Sequence, residues 1–526
     1  MYDVIVKGGI LIDGTGAPPW RRDVGIKGDT IVKIGDLSSE SAEEVIDAKG
    51  LYVAPGFIDI HNHSDTSIFL VSTADNYVTQ GVTTIVVGNC GYSPAPLTEK
   101  NREFLELSES EFIKERGRLP WSSFRDYLED LDKLEKSINV VTLVGHGTIR
   151  SAVLGVEDVK PSEKQLIEMK NLLEEALIAG AFGMSSGLIY IPGVFSDTRE
   201  LVELAKVVAR HGGLYATHIR NEGVGLIDAA IEAIEVALLS GVSLEISHIK
   251  AAGPPAWGGV HAVLSLLEEY ARRGYDFSAD VYPYTASSTG LEALLPAWIR
   301  AGGLEQLVKR LQNPDTLEEL RRFLARHGIP EEGHTDWDRV KISHSEQHPE
   351  LEGKSIDEVA RMWGVDPVSA IARLLVDDKG LTHVVVHTMN EEDVVEAISH
   401  PLVAIGSDGL VLKPGRGKPH PRNYGTFPRV IARYVRELRV LSLPEAIRKM
   451  TSLPARKLGL HDRGVLRPGF KADIVVFNYY TMKDTATYED PHSYATGVEY
   501  LLVNGQIAIR EGKHTGAKPG RLIRKT

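Results

Sequence analysis

The sequence predicts an α/β protein: a (β/α)8 TIM-like barrel carrying a small β-sandwich domain built from both termini. Three observations predict it. Eight short apolar runs alternate with amphipathic stretches through the middle of the chain. Both ends are instead rich in short strands separated by glycine turns. The residues able to bind a metal fall where the apolar runs stop.

The first 55 residues read as strands at 3–7, 9–13, 23–27 and 30–34, broken by turns such as Gly14-Thr-Gly16 and Lys27-Gly-Asp29. Residues 470–510 repeat that texture, with strands at 472–477, 500–503 and 506–510. A sheet with one apolar face must bury it against another layer, so a sandwich assembled from 1–55 and 463–526 is the simplest arrangement.

The middle, 56–462, offers strands at 56–63, 82–90, 139–147, 181–190, 213–220, 243–250, 276–284 and 402–408. Between them lie helical patterns. Residues 161–180 place apolar side chains three and four apart and end in Gly180, and 224–240 is likewise closed by Gly241. Near-continuous apolar runs joined by such helices mark a parallel sheet, and eight of them suit a closed barrel of about 250 core residues plus insertions. Two more apolar runs, 340–344 and 383–387, leave the strand count open. They are assigned to an insertion between the seventh and eighth strands, whose helical, charged part near 290–345 would lie over the mouth as a lid. A doubly wound open sheet is the alternative, although no G-x-G-x-x-G follows the first strand.

Composition narrows the function. With 43% hydrophobic and 25% charged residues in 526, the chain is that of a soluble globular protein. A net charge of −13 argues against a general nucleic-acid surface. No apolar run approaches the roughly 20 residues needed to span a bilayer. The start, Met1-Tyr-Asp-Val, reads as a strand and not as a secretory signal. The expectation is a cytoplasmic protein with a small-molecule substrate and neither a nucleic-acid nor a membrane partner.

In a (β/α)8 barrel the C-terminal strand ends share one funnel. The first strand ends in His61 and His63, the second in Cys90, the fifth in His218, the sixth in His248 and the eighth in Asp408. Each has a bland reading by itself. A free cysteine is usually a small buried hydrophobe, and a lone histidine at a strand end is usually structural. Four imidazoles, the chain's sole thiol and a carboxylate at one rim instead describe a transition-metal site, zinc first, with nickel, cobalt or iron behind it. Asp408 is placed to accept the proton of a metal-activated water, or to serve as one more ligand. His146, ending the third strand, reads as support or packing. His344, His348, His383 and His387 read as structural.

At these residues the chain resembles the amidohydrolase superfamily, and within it the N-acyl-D-amino-acid deacylases (D-aminoacylases). The likeness covers nearly the whole chain. It runs from Ala54-Pro-Gly-Phe-Ile-Asp-Ile-His-Asn-His63 through Gly88-Asn-Cys-Gly91, Ala216-Thr-His-Ile-Arg220 and Ser247-His-Ile-Lys250. It continues at Ile405-Gly-Ser-Asp-Gly409 and His420-Pro-Arg-Asn-Tyr-Gly-Thr-Phe427. Many members of the superfamily bridge two metals with a carboxylated lysine on the fourth strand; residues 181–190 contain none, and Cys90 can supply the anion instead. The resemblance implies one tightly held zinc on Cys90, His218 and His248, and a second, weaker position at His61, His63 and Asp408. It implies hydrolysis of the amide of an N-acyl-D-amino acid, with Asp408 as general base and then acid. Arg422 matches the residue that holds the substrate α-carboxylate, and Lys250, Tyr190, Tyr282 and Ser288 match other substrate-contacting positions. Opening of cyclic amides, hydrolysis of dipeptides and a non-catalytic metal-binding barrel are the alternatives.

Overall fold

The computed structural model describes residues 1–525. Eight parallel strands lie where the apolar runs predict them: Phe57–Asp59, Val82–Val87, Asn139–Thr142 continuing as Val144–Gly145, Gly183–Gly187, Leu214–His218, Ser243–Ile246, Phe277–Val281 and Val403–Ile405. Each pairs in parallel with its sequence neighbour, as in Ser185 with Ala216 and Ala279 with Val403. The third strand is interrupted at Leu143. Its first half pairs with the second strand and its last two residues with the fourth. The eighth strand returns beside the first through a parallel bridge between Asn62 and Gly409 and a 2.8 Å bond from Asp408 N to His61 O. This is the TIM-like barrel of the sequence reading. Strands two to five, seven and eight are buried along their whole length, hence their unbroken apolar character.

The surrounding helices follow their patterns closely. Glu163–Ala179 starts with a reciprocal Ser162–Gln165 capping box and stops at Gly180. It buries Leu166, Met169, Leu173, Ala176 and Leu177 toward the strands, each large side chain contributing about 1.5–3 kcal/mol. Leu226–Ser240 ends at Gly241 in the left-handed region. No helix among the described residues is long and apolar enough to cross a membrane.

The termini form two sheets. Thr30–Gly35, Asp23–Lys27, Tyr2–Lys7 and Ala42–Asp47 make one. The other orders Lys513–His514, Gln506–Arg510, Val498–Val503, Ile474–Phe477, Tyr52–Pro55, Ile10–Leu11 and Trp20–Arg21. Val4, Val24, Ile26 and Ile31 from the first sheet pack with Val53, Ile474, Val476 and Leu502 from the second. The last residues leave the sheets: Val140 N donates to Arg521 O and Ile523 N to Val140 O, so the tail runs beside the third barrel strand.

Between the seventh and eighth strands, an inserted segment has its own antiparallel sheet, ordered Ser287–Gly290, His383–Val386, Val340–His344. It also has its own core, including Leu291, Ile299, Leu307, Leu324, Ile342, Ile356, Leu374 and Val384. The two apolar runs assigned to the insertion, 340–344 and 383–387, both fall in that sheet, with His383–Val386 as its central strand.

Candidate metal centre and active site

The residues singled out by sequence converge at one mouth, but mostly just beyond the strands. Only His218 lies within one, as the last residue of Leu214–His218. The others are aimed by sharp turns. Cys90, His248 and Asp408 have φ values of 50°, 34° and 51°, three of the eight non-glycine residues with positive φ. Such conformations are strained for residues with a Cβ and persist where the surroundings over-determine them. The Gly88-Asn-Cys-Gly91 motif is therefore steric. Gly88 takes φ 83°, and a Cβ there would meet Leu143 O at 2.0 Å.

Cys90 Sγ stands 3.3 Å from His61 Nε2 and 3.3 Å from His248 Nε2. Asp408 Oδ1 is 2.9 Å from His63 Nε2 and 3.5 Å from His61 Nε2. Of three groups of ligand atoms among the described residues, each within 4.8 Å of one another, two are built from these residues: Cys90, His218 and His248; and His61, His63, Cys90 and Asp408. Cys90 belongs to both. Ligands of a tetrahedral zinc, at about 2.3 Å for sulfur and 2.1 Å for nitrogen, stand about 3.5 Å apart, so the spacing fits. His218 adds a second sign of fit: it is 4% exposed, yet neither ring nitrogen has a hydrogen-bond partner.

Charge explains the protonation states. Burial opposes ionisation of Cys90, but His61 and His248 beside it hold the thiol well below its usual value. Burial likewise opposes the Asp408 carboxylate, and Arg422 with His248 overrides it, keeping the group well below the carboxylate range. His248 is pushed down by burial and by Lys250, yet Glu222 and Cys90 bring it up to about 9. The mouth thus sets anionic ligands against the raised imidazoles of His61, His63 and His248, while burial lowers His218.

Three supporting carboxylates were not singled out by the sequence reading. Asp280 lies 3.3 Å from His61 Nδ1 and accepts from His248 N at 2.9 Å. Asp59 accepts from Ser407 N, Ser407 Oγ and Asn62 Nδ2, tying the first strand to the eighth. Glu222 pairs with Lys250 and His248. Asp59 and Asp280 lie inside predicted strands, where a carboxylate on a buried face is itself a signal; Glu222 lies in a loop and carries none.

The five predicted substrate residues line the same mouth. Arg422, 6% exposed, places Nη1 2.7 Å from Asp408 Oδ2, donates from Nη2 to Ser288 O at 3.3 Å, and lies 4.9 Å over the Tyr282 ring. Its Nε and Nη1 make no aligned hydrogen bond to protein. His420 fixes its backbone, Nδ1 accepting from Arg422 N at 3.0 Å and Nε2 donating to Ala286 O. Tyr190 sits 5.1 Å from the His218 ring, its hydroxyl 3.3 Å from Thr289 Oγ1. Lys250 Nζ donates to Glu222 Oε1 at 2.6 Å and stands 5.6 Å over Tyr282. The remaining histidines stay outside the ligand groups. His146 pairs with Glu200, His344 with Glu352, His348 with Asp377, and His387 meets Tyr488 edge-on; His383 takes its place in the insertion's sheet.

A barrel with thiol, imidazoles and carboxylate converging at its C-terminal mouth is the frame of a metal-dependent hydrolase. The chain belongs to the amidohydrolase family: the profile described as "Amidohydrolase family" matches residues 44–509. It is 36% identical to the D-aminoacylase of Alcaligenes xylosoxydans xylosoxydans, over 100% of this chain and 98% of that protein. It is 37% identical to the N-acyl-D-glutamate deacylase of the same organism, over 99% and 96%. Among solved structures it resembles the N-acyl-D-glutamate deacylase of Bordetella bronchiseptica, complexed with zinc and a phosphonate mimic of the tetrahedral intermediate. The TM-score is 0.84, with 34% identity over 99% of each chain.

Proposed function

We propose that the chain is a zinc-dependent deacylase of N-acyl-D-amino acids, releasing a carboxylate and a D-amino acid. Cys90, His218 and His248 hold the tightly bound ion, with His61, His63 and Asp408 around a weaker second position. The observation that carries the reading is Cys90, a buried thiol common to both ligand groups and facing two imidazole nitrogens at 3.3 Å. When bound, the ion supplies Lewis acidity, polarising a carbonyl and acidifying water. Asp408, held ionised by Arg422, takes the proton of the attacking water and delivers it to the departing nitrogen. Arg422 offers its unpartnered Nε, beside the Nη1 that pairs with Asp408, to the substrate α-carboxylate, a charge-assisted contact. Tyr282 packs under that guanidinium, while Tyr190, Ser288 and Lys250 wall the same space.

The proposal extends to organisation and place. Residues 1–55 and 463–526 are one β-sandwich unit, 56–462 the barrel with its lid, and the enzyme acts in the cytoplasm.

Zinc-loaded protein offered N-acetyl-D- and N-acetyl-L-amino acids tests the function. At least a 100-fold preference in kcat/KM for the D series is expected. Turnover of hydantoins or L-substrates with the D series inert overturns it.

A further inference from the structure

We infer that Glu222 is a positioning residue, holding the metal-binding imidazole of His248 in register and joining it to Lys250 and the inserted segment. The inference rests on the metal-site reading above. Glu222 lies in the loop after the fifth barrel strand, 5% exposed. Its Oε1 is 2.9 Å from His248 Nδ1 and accepts from Lys250 Nζ at 2.6 Å; its Oε2 is 3.4 Å from His218 Nε2. His248 turns Nε2 toward Cys90. With Nε2 turned to the cradle, Nδ1 is the nitrogen left to carry a hydrogen, and the Glu222 carboxylate is the acceptor within reach of it. Lys250 Nζ, 2.7 Å from the same Nδ1, brings no acceptor of its own; its charge is answered by Glu222.

The inserted segment holds this loop from the far side. Val224 N donates to Glu331 O at 2.9 Å. The Glu331 carboxylate falls within 4.8 Å of the ligand atoms of both His218 and Glu222. One carboxylate thus joins the imidazole just past the sixth strand to a buried ammonium and to the segment over the mouth. The competing role is narrower: Glu222 would only neutralise Lys250.

Zinc affinity by chelator competition and the visible spectrum of the cobalt-loaded protein separate the two roles. Glu222→Gln is expected to weaken zinc binding about 10- to 100-fold and to shift the cobalt bands, with partial recovery in Glu222→Asp. Glu222→Gln leaves Lys250 buried and unpaired, so Glu222→Gln/Lys250→Met is the variant that stays folded. It is expected to show the same loss. Wild-type affinity and unchanged cobalt bands in the double variant overturn the positioning role and leave the metal site standing. Equal zinc binding by wild type and Cys90→Ser is a different result: it removes the metal site, and the positioning role with it.

Discussion

At the mouth of the barrel Cys90, Asp408 and Arg422 are buried as ions, each held charged by an opposite neighbour. At the other end of the eighth strand, Lys449 is equally buried but meets only carbonyls, those of His400 and Val403. Burial there wins, lowering the ammonium to about 7. The backbone differs in the same sense. The mouth carries left-handed, non-glycine turns at its functional residues, whereas the strands beneath it bury an apolar cluster of Ile58, Val86, Val141, Phe182 and Leu214. The mouth accepts strain and desolvated charge where chemistry is done; the far end serves stability. Substitutions at the mouth should therefore remove activity with little loss of fold, and those at the far end the reverse.

The largest effects test the mouth. Cys90→Ser should weaken zinc binding by more than about 100-fold, since it removes the ligand common to both groups, with circular dichroism unchanged. Asp408→Asn should keep metal yet lower kcat by about 10²- to 10⁴-fold, the usual worth of a general acid–base group. Retained turnover in Asp408→Asn would assign that proton transfer elsewhere. Arg422→Lys should cost less, about 10- to 100-fold in kcat/KM, since charge survives but the planar fork does not. An N-acyl-D-amino amide, lacking the α-carboxylate, should show no such loss; an equal loss would mean Arg422 serves Asp408 alone.

This division also explains what could be read beforehand. The barrel strands were legible because burial on both faces forces continuous apolar runs, and the convergence of Cys90 with His61, His218 and His248 because a single thiol among imidazoles is chemically conspicuous. Ala42–Asp47 was not, since its exposed, acidic residues hide a strand whose evidence is its pairing with Tyr2–Lys7. Nor was the strand order of the insertion, because the central place of His383–Val386 depends on partners distant in sequence. Glu222 escaped for the same reason: an acidic residue in a loop becomes informative only when Lys250 and His248 arrive beside it.

At the far end, Lys449 makes the pH dependence of stability a test. Its folded value of about 7 lies below its ordinary 10.5. Between those values the unfolded chain binds more protons, so this group's contribution raises stability as pH climbs from about 7 to 10.5. Urea midpoints for wild type and Lys449→Met at pH 7 and 9 should converge or cross in that direction, with kcat/KM alike in both. A difference independent of pH would show that the ammonium is satisfied by its carbonyls.

The smallest effect bounds the comparison from outside both ends. Ser162→Ala removes the capping box of Glu163–Ala179, on the barrel's outer layer, while leaving that helix's buried face intact. The expected cost is about 1 kcal/mol. In a chain of this size that is a shift in Tm of only about 1 °C, because the unfolding entropy grows with length. Zinc affinity and kcat should match wild type, since no residue of the ligand groups touches the cap. A measurable loss of activity from so small a change would mean that the outer helices tension the mouth, and that strain at Cys90, His248 and Asp408 is sustained by the whole barrel and not by the turns alone.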